Sequence, residues 1–329
     1  MKKNKIFNSL CLAAATTLLF SATLTSCSKS DDTNNGGSGS GTTATTFKVT
    51  DAPIDDASVT SAFVTIADIK VDGQSVSGFT KQTIDLMAYQ NGSTSTLGTF
   101  NLSGKTYSSV TFVLDFNTDA SGNAPGSYVV TTGGVKHKLE TTSNVITVNK
   151  TFTLTGGSSS SLVADFDLRK MVVAQTGGGA DLYNFATTAE LQNDVRIVAE
   201  SNAGKISGTI TDAISGSTKI VAYAYRKGTF VRSTEVSGQG SSNVYFSNAV
   251  SSAVATSAGI GSFNYSLNFL DSGEYEVHFA SYKDTNADGV YEFQGTLNVT
   301  GAGTLDFGNL VVSANLTLSA NATVTSVTP

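Results

Sequence analysis

Beyond residue 46, short runs of alternating apolar and polar residues dominate the chain, and helical spacing is scarce. A two-residue period puts every second side chain on one face of a strand. The clearest runs in the first half are 59–71, 107–116 and 162–168. In the second of these, Val110, Phe112, Leu114 and Phe116 share a face; in the third, Leu162, Ala164, Phe166 and Leu168 do. Shorter runs at 47–50, 83–86, 98–102, 128–130, 145–148, 152–154 and 191–198 read the same way, with Gly, Asn, Ser and Asp-Gly turns between them. At least seven short strands with turn residues at each break predict an antiparallel sandwich over 47–200. A second series follows: 205–211, 220–225, 230–231, 263–267, 275–280, and a Thr-rich stretch carrying Leu305, Phe307, Leu310, Val312, Leu316 and Leu318. It predicts another sandwich over 204–329. The fold class expected is therefore all-β, with two antiparallel β-sandwich domains.

The first 46 residues have a different character. Lys2, Lys3 and Lys5 precede a mostly apolar segment, 6–20, that is short for a membrane span. This is the pattern of a secretory signal peptide, expected to cover 1–26. Leu24-Thr25-Ser26-Cys27 resembles the lipobox of bacterial lipoproteins. The resemblance implies cleavage before Cys27 and acylation of its thiol and new amine, which anchors the chain to outer-membrane lipid. Several acyl chains hold firmly where one does not. Cys11 lies inside the signal, so the mature chain keeps no cysteine pair for a disulfide. Ser28-Lys29-Ser30-Asp31-Asp32 resembles the surface-export signal of Bacteroidetes lipoproteins, which implies display on the cell exterior. Residues 27–46, rich in Gly, Ser, Asn and Thr, read as a flexible tether.

Charge narrows the function. The formal charge is −6, and removing 1–26 takes it to −9. Charged residues make up 14% of the chain, with no clustered Lys and Arg, which excludes a basic nucleic-acid binder. The two histidines, His137 and His278, are too few for a three-His metal centre, and neither HExxH nor GxSxG occurs. Any two of the 26 acids could form the carboxylate pair of a glycan hydrolase, but such clefts are usually lined with Trp, and there is none.

Two groups of oxygen ligands stand out. Asp284, Asn286 and Asp288 fall at positions 1, 3 and 5 of a loop with Gly289 at 6 and Glu292 at 9, the spacing of a calcium loop. Position 12 is Gly295, and no flanking helices are expected, so an EF-hand is excluded. The loop reads either as a tentative Ca2+ site on a β-scaffold, completed by a distant acid such as Asp271 or Glu276, or as a hairpin whose side chains bond their own backbone. Asp51, Asp55 and Asp56, with Asp165 and Asp167, form the other group. They read as turn caps, as Ca2+ ligands or as a catalytic pair, with Asp167 and Arg169 as a surface ion pair. No cofactor is expected to be required; Ca2+ is the one candidate.

Val49-Thr50-Asp51-Ala52-Pro53 with Asp55-Asp56, the strand 63–71 and Asp165-Phe166-Asp167-Leu168-Arg169-Lys170 resemble domain of unknown function 4382, a family of bacterial lipoproteins. That resemblance implies fold and location and carries no reaction. The G-x-I strand at 208–210, the strand 220–225 and the hairpin through Gly273 and Tyr275 resemble carboxypeptidase regulatory-like and transthyretin-like sandwiches, which are mostly non-catalytic. The function expected is a non-enzymatic, outer-membrane-anchored binding or adhesion module for a glycan or an extracellular protein. A binding surface is expected to expose tyrosines such as Tyr107, Tyr223 or Tyr225. A structural envelope or assembly component is the first alternative, and a carboxylate-pair hydrolase the second.

Overall fold

Two strands of the first half set its architecture. Val59–Val71 and Thr106–Leu114 pair antiparallel at the centre of a seven-stranded sheet, with 128–131, 136–138 and 145–153 continuing it outward. Thr42–Ala52 and Ser159–Asp167 form the centre of a four-stranded sheet facing the first. The alternating apolar positions meet between the sheets: Val64, Ile66, Val110, Phe112 and Ile146 from one, Phe47, Val49, Leu162, Phe166 and Ile197 from the other. Phe112 and Phe166 close the gap edge-to-face at 5.2 Å. Burying a side chain of this size contributes about 2–3 kcal/mol. The structure, a computed structural model, describes residues 41–52, 54, 56–175, 182–286 and 291–329.

In the second half the described strands, from Ala203–Thr211 to Ala322–Thr328, make a ten-stranded sheet. One face of Lys219–Arg226 carries Ile220, Ala222 and Ala224 into a core with Leu267, Phe279 and Leu297. The opposite face carries Val221, Tyr223 and Tyr225 into a smaller cluster with Phe246, Ala280 and Tyr282. Segment 227–250 folds over that opposite face, so the strand is covered on both sides. The chain is all-β, and its described residues lie within one compact unit. Among the described residues no helix is long and apolar enough to cross a membrane.

Several expectations need correction. The sheets are not purely antiparallel. Thr42–Ala52 runs parallel to Ser159–Asp167, and Ala203–Thr211 runs parallel to both Thr317–Ser319 and Ala322–Thr328. Alternation marks a strand but not the direction of its neighbour. Strand Thr42–Ala52 begins inside the segment expected to be tether, because Thr42 to Thr46 pair with Thr99 to Ser103 on one side and Ala44 to Thr46 also pair with Ser159 to Ser161 on the other. Segment 191–198 is not one strand: helix Thr188–Asp194 precedes strand Val195–Ala199. Thr187 and Glu190 close that helix with a capping box. Residues 230–231 form no strand and lead into the helical turn Arg232–Glu235.

Candidate functional site

Cys27 and Asp288 lie outside the described residues. Around Asp288 the loop is closed by Glu292, whose Oε2 accepts hydrogen bonds from the Thr285 amide at 2.8 Å and hydroxyl at 2.9 Å. Asp284 and Asn286 stand on the near side of the same loop. Neither distant acid is spare. Asp271 pairs with Lys150 at 2.7 Å, while Glu276 accepts from the Phe230 amide at 2.8 Å and lies 3.3 Å from His278. Among the described residues no three His, Cys, Asp or Glu side chains gather as a metal set.

The acids of the first half separate into a turn and a buried seam. Asp55 lies outside the described residues. Asp56 caps a turn, accepting from the Ser58 amide and hydroxyl and from the Tyr183 hydroxyl at 2.7 Å. Asp51, Asp165 and Asp167 do converge, but on Arg169, Lys170 and Arg196. Thr42–Ala52 and Val195–Ala199 flank Ser159–Asp167, which places Asp165 directly across from Arg196 at 2.6 Å. The Asp51 carboxylate accepts the Leu168 amide, where the chain turns into the helix Leu168–Met171. That turn carries Arg169 and Lys170 back toward Asp167, at 3.4 and 3.2 Å. The expected surface pair is in fact buried, with side-chain exposures of 2% for Arg169 and 10% for Asp167.

The same cations fasten the two halves together. Arg169 donates to the carbonyls of Tyr245 and Phe246, Lys170 to that of Ala249 at 2.8 Å, and Arg196 to those of Asn268 and Phe269. Glu190 adds a fourth tie, accepting from the Ser242 amide and hydroxyl. The hydrogen bonds from Ser242 and Thr187 outweigh partial burial and pull the Glu190 pKa down to about 2.

Burial dominates the titration of the seam. It raises Asp51 well above the usual carboxylate range, reinforced by the nearby Asp165 and Asp167. Asp165 is also raised by burial, against the pull of Arg196. Asp167 is buried too, yet Arg169 and Lys170 beside it hold its pKa below the ordinary value. Asp194, at the end of its helix, is pushed up to about 7 by burial, with Lys170 opposing and Asp167 adding.

Beside the seam an aromatic cleft of about 610 Å³ opens between the halves. Arg169 and residues 172–174 form one wall; Tyr245, Tyr282, Tyr291, Glu292 and Phe293 form the other, with Ser242 and Asn243 at the rim. Phe293 packs within 6.1 Å of Tyr245 and 5.8 Å of Tyr282. Tyr245 is 41% exposed. The tyrosines expected on the surface are elsewhere: Tyr107, Tyr223 and Tyr225 are buried. Tyr223 stacks on Phe246 at 4.2 Å, and the Tyr225 hydroxyl donates to Glu235. His137 is buried on the strand Lys136–Lys138, its Nε2 3.2 Å from the Thr131 hydroxyl. His278 stacks on Phe230 at 3.7 Å, and burial lowers its pKa.

Comparison with solved structures finds distant likenesses. A leucine-rich repeat protein from Bacteroides thetaiotaomicron is 14% identical with a TM-score of 0.23, over 86% of this chain and 26% of that one. The chain thus spans about a quarter of that protein's length. The minor pilin of Streptococcus agalactiae is 10% identical with a TM-score of 0.21, over 87% of this chain and 98% of the pilin. The tip fimbrial protein of Porphyromonas gingivalis is 10% identical with a TM-score of 0.22, over 85% and 92%. No curated protein matches the chain. Residues 42–186, which carry all of the first sandwich but its strand Val195–Ala199 and the acid–base seam up to Lys170, match the family described as Domain of unknown function (DUF4382).

Proposed function

We propose that the chain is a non-catalytic binding or adhesion module, held on the outer membrane through acylated Cys27, and that the aromatic cleft takes its glycan or protein ligand. The cleft is the observation that supports this reading. Its tyrosine and phenylalanine faces offer apolar stacking area, while Ser242, Asn243 and Glu292 at its edge offer donors and acceptors. Loop 284–292 leads straight into Tyr291, Glu292 and Phe293 on the cleft wall. Ca2+ held by Asp284, Asn286, Asp288 and Glu292 would therefore bear on ligand affinity.

The test is binding of the full-length chain to a panel of glycans and extracellular matrix proteins, with calcium and again with EDTA. A hit is expected, and Tyr245→Ala should weaken it about tenfold, the loss of one stacked ring. Wild-type affinity in Tyr245→Ala would remove the cleft as the site. Binding that survives EDTA would leave the cleft in place and reduce the loop to a hairpin. The anchor is tested separately. Cys27→Ser is expected to abolish incorporation of labelled palmitate and release the protein from the membrane fraction; unchanged labelling would rule out this anchor.

A glycan hydrolase has one observation in its favour. Asp167 and Asp194 line one cavity with pKa values shifted in opposite directions. Against it, Asp167 is pinned by two cations. Scoring the same panel for released reducing ends, in wild type and Asp194→Asn, separates the two readings.

A further inference from the structure

A second cavity, of about 320 Å³, lies along the seam between the two halves. Asp165, Asp167, Lys170, Asp194 and Arg196 line it from the first half, and residues 247–251 from the second. It shares no lining residue with the aromatic cleft. Asp194 is 9% exposed and sits at the end of helix Thr188–Asp194. Its Oδ2 is buried and accepts no hydrogen bond, and the same holds for Oδ1 of Asp167. Two carboxylates that line one cavity thus each carry a buried acceptor oxygen without a donor. Leaving such atoms unmatched is costly.

The surrounding donors are committed elsewhere. Lys170 donates to Ala249 and pairs with the other oxygen of Asp167. Arg196 bonds Asp165 and the carbonyls of Asn268 and Phe269. Arg169 bonds Asp167 and the carbonyls of Tyr245 and Phe246. Of the acids on this cavity, Asp194 alone has no cation within ion-pair distance among the described residues, while Asp165 has one and Asp167 two.

We propose that this cavity is a binding site for one primary ammonium group of a small polar ligand, held between Asp194 and Asp167. An ammonium brings a positive charge and three N–H donors, which matches two acceptor oxygens lacking donors. An anion would meet both carboxylates. A calcium ion asks for six to eight oxygens, and no metal set is gathered among the described residues. The group could come from an amino sugar or from a lysine-type side chain. The proposal is independent of the aromatic cleft and stands or falls without it.

Occupancy should follow the charge of Asp194. The charged and titratable groups facing it are Lys170 and Arg169 on the helix Leu168–Met171, Asp165 and Asp167 on their strand and Glu190 on its own helix, with Arg196 on the strand that follows. Residues 247–251 bring no titratable side chain. Burial keeps Asp194 half-protonated near pH 7, so it is mostly ionised at pH 8 and mostly neutral at pH 6. A lysine-type ε-amine stays charged across this range, whereas the amine of an amino sugar, lowered by its neighbouring oxygens to roughly 7.5–8, is charged at pH 6 and mostly neutral at pH 8.

The test is calorimetric titration of the full-length chain with glucosamine, Nα-acetyl-lysine methylamide, N-acetylglucosamine and calcium chloride, each at pH 8 and pH 6. One of the two amines is expected to bind with a Kd on the order of 1 mM at pH 8; at pH 6 the lysine derivative should bind about tenfold more weakly, and glucosamine, which gains its own charge there, about threefold. Binding by glucosamine alone identifies an amino sugar; binding by the lysine derivative alone identifies a side chain. N-acetylglucosamine, which lacks the charge, should not bind. Asp194→Asn should lose the amine while keeping its circular dichroism and its melting temperature at pH 4. The proposal is overturned if neither amine binds, if Asp194→Asn binds as well as wild type, or if only calcium binds.

Discussion

Arg169→Ala is expected to lower the free energy of unfolding by about 3–5 kcal/mol, the range for breaking a buried ion pair from one side. The side chain is 2% exposed and makes no contact it can lose cheaply. One nitrogen donates to the Tyr245 carbonyl at 2.5 Å; another donates to the Phe246 carbonyl at 3.1 Å and to Asp167 at 3.4 Å. The guanidinium also lies 5.2 Å from the Tyr223 ring centroid. Truncation would take its donor from the Tyr245 carbonyl, leave the Phe246 carbonyl with the Ala249 amide alone and leave Asp167 with Lys170 alone. Arg169→Lys should recover little, because a point charge cannot span carbonyls and carboxylate together. Urea unfolding of the three proteins measures this directly. Asp167 is held below its ordinary pKa, so the stability it contributes is present above the unfolded pKa and is lost as pH falls through the folded one. The gap between wild type and Arg169→Ala should therefore narrow in acid. A gap under about 1 kcal/mol at pH 7 would mean that Arg169 does not hold the halves together.

The same residues show what was legible in the sequence. The alternation of Val110, Phe112 and Leu114 is the surface of one sheet, and it names core positions correctly. Alternation does not say whether the other face of a strand meets water. Ile220, Ala222 and Ala224 could be assigned to a core, but Tyr223 and Tyr225 read as exposed because nothing local announces that segment 227–250 will cover them. That segment does carry apolar residues (Val236, Val244, Tyr245, Phe246), and their number was the available signal. The cleft was harder to see, since Arg169, Tyr245, Tyr282 and Phe293 meet only through tertiary packing. The convergence of Asp51, Asp165 and Asp167 was visible in the motif. Its meaning was not, because a four-residue helical turn is needed to bring Arg169 and Lys170 back onto Asp167. The capping box at Thr187 and Glu190 was there to be read, and the apolar run 191–198 masked it.

Asp194→Asn is expected to stabilise the protein above pH 7 and to leave it nearly unchanged at pH 4. The Asp194 pKa is about 7 in the folded chain, against an ordinary value of 3.8. A carboxylate raised on folding holds its proton better in the native state. Below the unfolded pKa both states are protonated and nothing is lost. Between the two values the unfolded chain ionises first, so stability falls as pH rises; above about 7 the full deficit remains. The gap between 3.8 and about 7 corresponds to roughly 4 kcal/mol, and relaxation of a site that opens onto a cavity reduces that to about 2–3 kcal/mol. Asparagine keeps the shape and removes the charge. Urea unfolding of both proteins from pH 4 to pH 8 isolates the effect as a difference. Carboxylates held low by their hydrogen bonds, such as Glu190, act oppositely in both proteins and cancel. A difference that does not change with pH would show that Asp194 is ordinary in the folded state. The experiment also bears on the cavity. A ligand that neutralises Asp194 binds the native chain alone and stabilises by mass action. Saturating amine at pH 8 should therefore raise wild type toward Asp194→Asn and leave the variant where it was.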